Sequence, residues 1–249
     1  MGKLNGKVAL ITGSSRGLGK AMAIAFAAEG AAIAVGYNSS ADGAVDTVDT
    51  IRKAGGDAKS FQGDITIPET VDSIVAAALE RFKRIDILVN NAGLVNASPL
   101  VNMAVETWDA MFAIHVRAMF LCSRAVMPHM LERGSGKIIN MGGTFGMTGM
   151  ENFTHMSAAK AAMIGFTRAL AKEVGPNGIH VNCLTPAMIK GETTANMSQD
   201  YLEALRQRYP LRRLGEVEDV NACALFLASD DSDFVTGQNL APAGGEVMP

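Results

Sequence analysis

The sequence predicts an α/β fold: a doubly wound parallel sheet of about seven strands with helices on both faces. Three observations carry that expectation. Short apolar runs alternate with helical patterns along the whole chain. At 249 residues and 48% hydrophobic content the chain can bury a full core. No linker, repeat or low-complexity stretch interrupts it, so residues 1–249 are expected to form a single domain.

The elements follow in order. KVALITG (7–13) reads as a buried strand, and RGLGKAMAIAFAAEG (16–30) as an Ala-rich helix stopped by Gly30. AAIAVGY (31–37) is the second strand, and ADGAVDTVDTIRKAGG (41–56) a helix ending in glycines. AKSFQGDI (58–65) and IDILVNNAG (85–93) give strands three and four, with the helix PETVDSIVAAALERFK (68–83) between them. A long helix at 106–131 is apolar on more than one face and so needs more than one packing partner. GKIINMGG (136–143) and GIHVNCLTP (178–186) are strands five and six, and a short seventh is expected within GQNLAPAGG (237–245). The polar, poorly periodic segment 187–214 reads as a lid over the ligand crevice, where such sheets carry their insertions.

Composition narrows the partners. Net charge is −3 without basic blocks, which leaves no electrostatic footprint for nucleic acid or an acidic membrane surface. No apolar run reads as a bilayer span, and the amino terminus lacks the h-region of a secretory signal. Cys122, Cys183 and Cys223 are far apart among apolar neighbours and read as buried free thiols of a cytoplasmic protein.

The turn ITGSSRGLGKA places Gly13, Gly17 and Gly19 between the first strand and first helix. Glycine there permits the tight turn and lets the backbone approach a pyrophosphate, whose charge the helix N-terminus favours. Residues 36–40 contain no acid to grip a ribose 2′-hydroxyl, and Arg16 inside the turn suits a 2′-phosphate. The turn therefore leans toward NADP(H) over NAD(H).

With these residues in place the chain resembles a short-chain dehydrogenase/reductase of the 3-oxoacyl-carrier-protein reductase group over essentially its whole length. The resemblance rests on Thr12-Gly13-Ser14-Ser15-Arg16-Gly17-Leu18-Gly19, on Asp64 followed by Ile65, on Asn90-Asn91-Ala92-Gly93, and on the carboxyl-terminal stretch 212–238. It implies a Rossmann-type fold and an oxidoreductase acting on a small-molecule carbonyl, alcohol or conjugated compound. It also implies a homodimer or homotetramer paired through the long helices that include Trp108. Cofactor contacts are implied at Gly13, Ser15, Arg16, Gly17, Leu18, Gly19, Asn38, Asp64, Ile65, Asn91, Ala92, Gly93, Lys160, Pro186 and Ile189. Two departures touch that site: Ala187 follows Pro186 where the family has glycine, and Ala243 stands where it has aspartate.

The family's catalytic Asn, Ser, Tyr and Lys fall at His115, Gly143, Met156 and Lys160. Only the lysine is kept. Methionine has no proton to give, and glycine removes the hydroxyl that polarises a carbonyl. Relocated donors are open: Thr144 if the turn bends, His155 beside Met156, His115 by position, or Lys160 if burial lowers its pKa. Tyr201 and Tyr209 lie in the lid. The enoyl-reductase branch places its tyrosine seven residues before the lysine, which here is Phe153, again without a hydroxyl. Phe153 and Met156 then suit an apolar wall for a flat substrate. Three functions stay open: an oxidoreductase with a non-standard proton donor, a catalytically silent cofactor-binding partner, or a non-redox lyase or isomerase.

Overall fold

The computed structural model describes residues 2–192 and 194–248. Seven strands form one parallel sheet: β1 (Val8–Ile11), β2 (Ala32–Tyr37), β3 (Ala58–Gln62), β4 (Ile87–Asn90), β5 (Gly136–Met141), β6 (Ile179–Leu184) and β7 (Asn239–Leu240). Their order is β3-β2-β1-β4-β5-β6-β7. The winding reverses at the β1/β4 seam, where Ala9, Leu10 and Ile11 pair with Ile87, Leu88 and Val89. Sheets wound this way open a ligand crevice beyond the carboxyl ends of the strands at that seam.

Period-2 alternation divides the strand residues between two cores. Ala9, Ile11, Ile87, Val89 and Ile139 face α1 (Gly17–Ala28), α2 (Ala41–Lys53) and, later in the chain, Val217–Ala228. Leu10, Leu88 and Ile138 face α3 (Pro68–Phe82) and the helices at Ala118–Arg133 and Thr154–Val174. At the opposite end of the sheet from the crevice, buried Asp86 ties the layers. Its carboxylate accepts from the Val8 N–H (2.8 Å), Arg84 Nε (2.7 Å) and Arg133 (3.2 Å).

Several expectations need revision in detail. The long helix at 106–131 is α4 (Val105–Phe112), a π-helical turn (Ala113–Arg117) and α5 (Ala118–Arg133). Together these make a 29-residue helix apolar enough by length and composition to cross a membrane, contrary to the sequence expectation. It instead supplies Leu121, Cys122, Val126 and Met130 to the core beneath the sheet. Strand seven is only two residues long. After α6 (Phe145–Thr148) and α7 (Thr154–Val174), the segment 187–214 contains an ordered helix, α8 (Gln199–Arg208), which precedes α9 (Val217–Ala228). Its Ser198 cap accepts from the Tyr201 N–H at 3.3 Å, and Leu202, Leu205, Tyr209 and Leu214 form a small core of their own. Cys122 and Cys183 are buried and Cys223 half-buried, all three free; burial pushes the Cys122 thiol up to about 12.

Candidate active site

The glycine turn is built by close approach. Gly13 and Gly17 hold φ of +65° and +55°, the left-handed region that side chains disfavour. A Cβ on Gly19 would sit 2.3 Å from the Gly13 carbonyl oxygen, whereas one on Gly17 would meet nothing within 4 Å. One glycine is thus required by packing, and the other faces open space. Asn91 Nδ2 donates to the carbonyls of Thr12 (2.9 Å) and Gly13 (3.1 Å). Thr12 Oγ1 accepts from the N–H groups of Asn91 and Ala92, both at 3.0 Å. Arg16, exposed, precedes α1 with no side chain capping the helix. Ser15 is buried and Leu18 packs partly into the core.

These residues fit a dinucleotide: a left-handed turn with open space over Gly17, at an uncapped 12-residue helix, on the topological switch point. Asn38 lies exposed at the end of β2. Asp64 turns one oxygen onto the Thr66 N–H (2.9 Å) and hydroxyl (2.7 Å), which fixes the loop that carries Ile65. Ile189 bridges to Gly215 and buries its side chain there, just beyond Pro186.

The structure brings Lys160, Gly143 and Met156 together where β5 meets α7. Lys160 is buried, and its Nζ donates to the Met141 carbonyl at 2.6 Å. Burial lowers its pKa from 10.5 to about 8. A Cβ on Gly143 would lie no closer than 3.6 Å to any atom, its nearest neighbours being the Lys160 methylenes. Met156 belongs to an apolar cluster with Met111 and Ala159, against which Leu94, Phe112, Val116, Phe145 and Phe153 pack. The slot of the missing phenol is therefore filled with carbon and sulfur.

His115 sits on the π turn against Gly93, where a Cβ would come within 2.3 Å of its ring. Its Nε2 lies 3.0 Å from the Leu94 carbonyl, so we assign the proton to that nitrogen; Nδ1 is buried with no partner among the described residues. Burial, then the Lys160 charge, hold its pKa at about 3. At neutral pH it is an uncharged imidazole. His155, fully buried, pairs its Nε2 with Asn96 Oδ1 at 3.1 Å. Nearby, the Ser98 N–H donates to the Asn152 carbonyl at 2.8 Å, so the loop after β4 is strapped to the start of α7. Thr144 is buried and helical in φ and ψ, so the chain does bend directly after Gly143. Tyr209 is pinned inside the 187–214 core, its hydroxyl oxygen accepting from the Met188 N–H at 3.3 Å, while Tyr201 is exposed.

Sequence reasoning missed a buried polar ladder behind the site. Asn90 Nδ2 donates to Asn140 Oδ1 (2.8 Å), and Asn140 Nδ2 to Thr167 Oγ1 (2.9 Å). It joins β4, β5 and α7 and so fixes Lys160 relative to the cofactor turn. Asn90 and Asn140 inside apolar strands were the available signal, since buried amides are retained only when paired.

A doubly wound sheet with this turn and lysine defines a nicotinamide-nucleotide oxidoreductase fold. Comparison with known proteins makes the assignment specific. Residues 13–246 match the family model described as enoyl-(acyl carrier protein) reductase. A 3-oxoacyl-[acyl-carrier-protein] reductase of Synechocystis is 40% identical over the full length of both chains. A (2S)-[(R)-hydroxy(phenyl)methyl]succinyl-CoA dehydrogenase subunit of Thauera aromatica is 39% identical, covering 98% of each chain. Among solved structures, one from Beutenbergia cavernae assigned as an NAD(P)-dependent gluconate 5-dehydrogenase, with NADP at low occupancy, matches at TM-score 0.92 and 32% identity, covering 98% of each chain. The chain belongs to the short-chain dehydrogenase/reductase family of NAD(P)-binding oxidoreductases.

Proposed function

We propose that this protein is an NADP(H)-dependent oxidoreductase of small carbonyl, alcohol or conjugated substrates in which Lys160 replaces the missing tyrosine as proton donor. The observation that carries the reading is the state of Lys160. It is buried, its pKa is lowered to about 8 by burial, and it lies beneath a position that Gly143 leaves without a side chain. An ammonium poised near the working pH is an effective general acid. When bound, NADP(H) supplies or accepts the hydride.

The chain's own residues do the rest. Gly13, Gly17, Gly19 and the α1 N-terminus seat the pyrophosphate, with Ser15 and Leu18 lining the turn. Arg16 faces a 2′-phosphate beside Asn38, and the Beutenbergia relative's bound NADP supports that preference. Asp64 and Ile65 hold the adenine, while Asn91, Ala92, Gly93, Pro186 and Ile189 flank the nicotinamide end. In the reducing direction Lys160 passes a proton to the nascent alkoxide or enolate, and solvent restores it. His115, neutral, positions Leu94 through the bond from its Nε2 to the Leu94 carbonyl; Thr144 and His155 shape the site. Segment 187–214 acts as the lid. Exposed Val105, Trp108, Phe120 and Leu131 on α4 and α5 support a homodimer or homotetramer. The free thiols suit a cytoplasmic setting.

The test is calorimetric binding of NADPH and NADH to nucleotide-free protein, followed by turnover of a ketone, enone and imine panel by wild type and Lys160→Met. The reading expects tighter binding of NADPH and turnover that the substitution abolishes. Binding with no turnover by any pure preparation would instead leave a catalytically silent partner subunit.

A further inference from the structure

The wall beside Lys160 carries information about what the site holds. The Phe145 and Phe153 rings lie 5.4 Å apart at 49°, a tilted pair that leaves both rings half-buried. Both are fixed relative to the lysine. Phe153 is the residue from which α7 starts. Phe145 opens α6, which approaches α7 so closely that a Cβ on Gly146 would lie 2.7 Å from the backbone of Lys160 and Ala161. Below the rings sit Met156 and Leu94, and from 142 to 156 Glu151, exposed, is the sole acidic or basic side chain other than His155. Gly143 presents no side chain there, and a Cβ on it would rest in ordinary contact, 3.6 Å, with the Lys160 methylenes.

Aromatic rings in tilted arrays accept a further ring in edge or face contact, and thioethers favour ring edges. A saturated chain gains only area burial at such a wall. We propose that the substrate carries a planar aryl group conjugated to its reacting carbonyl or enone, seated against Phe145, Phe153 and Met156. This rests on the oxidoreductase reading for the reacting group, and not for the binding of the ring.

Benzylideneacetone and 3-decen-2-one have equal carbon counts and the same enone, so they isolate the ring. Binding to the NADP-loaded protein is measured by calorimetry and turnover by NADPH oxidation. Benzylideneacetone is expected to bind about tenfold tighter. Phe145→Leu and Phe153→Leu should each cut that preference severalfold, with NADP affinity unchanged and the fold retained at a slightly lower thermal midpoint. Equal binding of the two enones, absence of binding by both, or a preference that survives both substitutions overturns the proposal. An aryl preference in binding without hydride transfer supports the wall and removes the redox reading; turnover without aryl preference does the reverse.

Discussion

Replacing Lys160 by methionine should stabilise the protein while removing its activity. The folded-state pKa of about 8 lies below the ordinary 10.5. At about 1.4 kcal/mol per pKa unit, holding this lysine charged and buried costs roughly 3 kcal/mol at neutral pH. Because the folded value is depressed, the folded state binds fewer protons between about 8 and 10.5, and wild-type stability rises with pH through that window. Methionine removes the charge and the titration. It also removes the 2.6 Å bond to the Met141 carbonyl, a loss of about 1 kcal/mol. The net expectation at pH 7 is a gain of about 2 kcal/mol, or roughly 4–8 °C in midpoint for a chain of this length. Urea unfolding of both proteins across pH isolates the electrostatic part, since packing and hydrogen-bond terms do not titrate. The variant's advantage should shrink by about 2 kcal/mol between pH 7 and pH 9.5. A variant no more stable than wild type at pH 7, or an advantage independent of pH, refutes the account of Lys160 as a desolvated ammonium. The same titration should make wild-type reduction, read as kcat/KM, fall as pH rises through about 8.

Three further outcomes are expected. Gly19→Ala places a methyl 2.3 Å from the Gly13 carbonyl oxygen, so it should lose about 1–3 kcal/mol of stability and all measurable NADPH binding by calorimetry. Arg16→Ala should weaken NADPH about tenfold and leave NADH unchanged, a discrimination of about 1.4 kcal/mol. His115, held at about 3 against an ordinary 6.5, contributes stability that is present above 6.5 and lost as pH falls toward 3. Wild type should therefore lose about 2 kcal/mol between pH 7 and pH 5 that His115→Asn retains, measured by denaturant unfolding at both pH values.

The sheet was legible because strands buried on both faces leave continuous apolar runs, and the helices because glycine and proline punctuate them. The two-residue β7 was legible only as a neighbourhood. The π turn at Ala113–Arg117 was not legible, since one residue of underwinding does not disturb an already all-round apolar pattern. The order within α8 escaped because its cluster of Leu202, Leu205, Tyr209 and Leu214 is small beside its arginines. At the site, spacing placed Lys160, Gly143 and Met156 correctly in sequence, but their physical state belongs to the fold. That Lys160 is desolvated and His115 neutral depends on burial by residues far away in the chain. The pairing of His155 with Asn96 joins positions 59 apart and leaves no local mark.

The strand order also sets a timetable for synthesis. β1 is the centre of the amino-terminal half and must pair on both sides, with β2 at once but with β4 only after residue 90 has left the ribosome. Until then Val8–Ile11, fully apolar, presents a bare edge, the kind of surface on which nascent chains aggregate. When β4 docks, Asn91 closes on Thr12 and Gly13, and the nucleotide turn is complete before any of His115, Gly143, Met156 or Lys160 has been made. The glycine turn thus matures first. Substitutions at those four later positions fall downstream of that step and leave undisturbed the way the chain begins to fold.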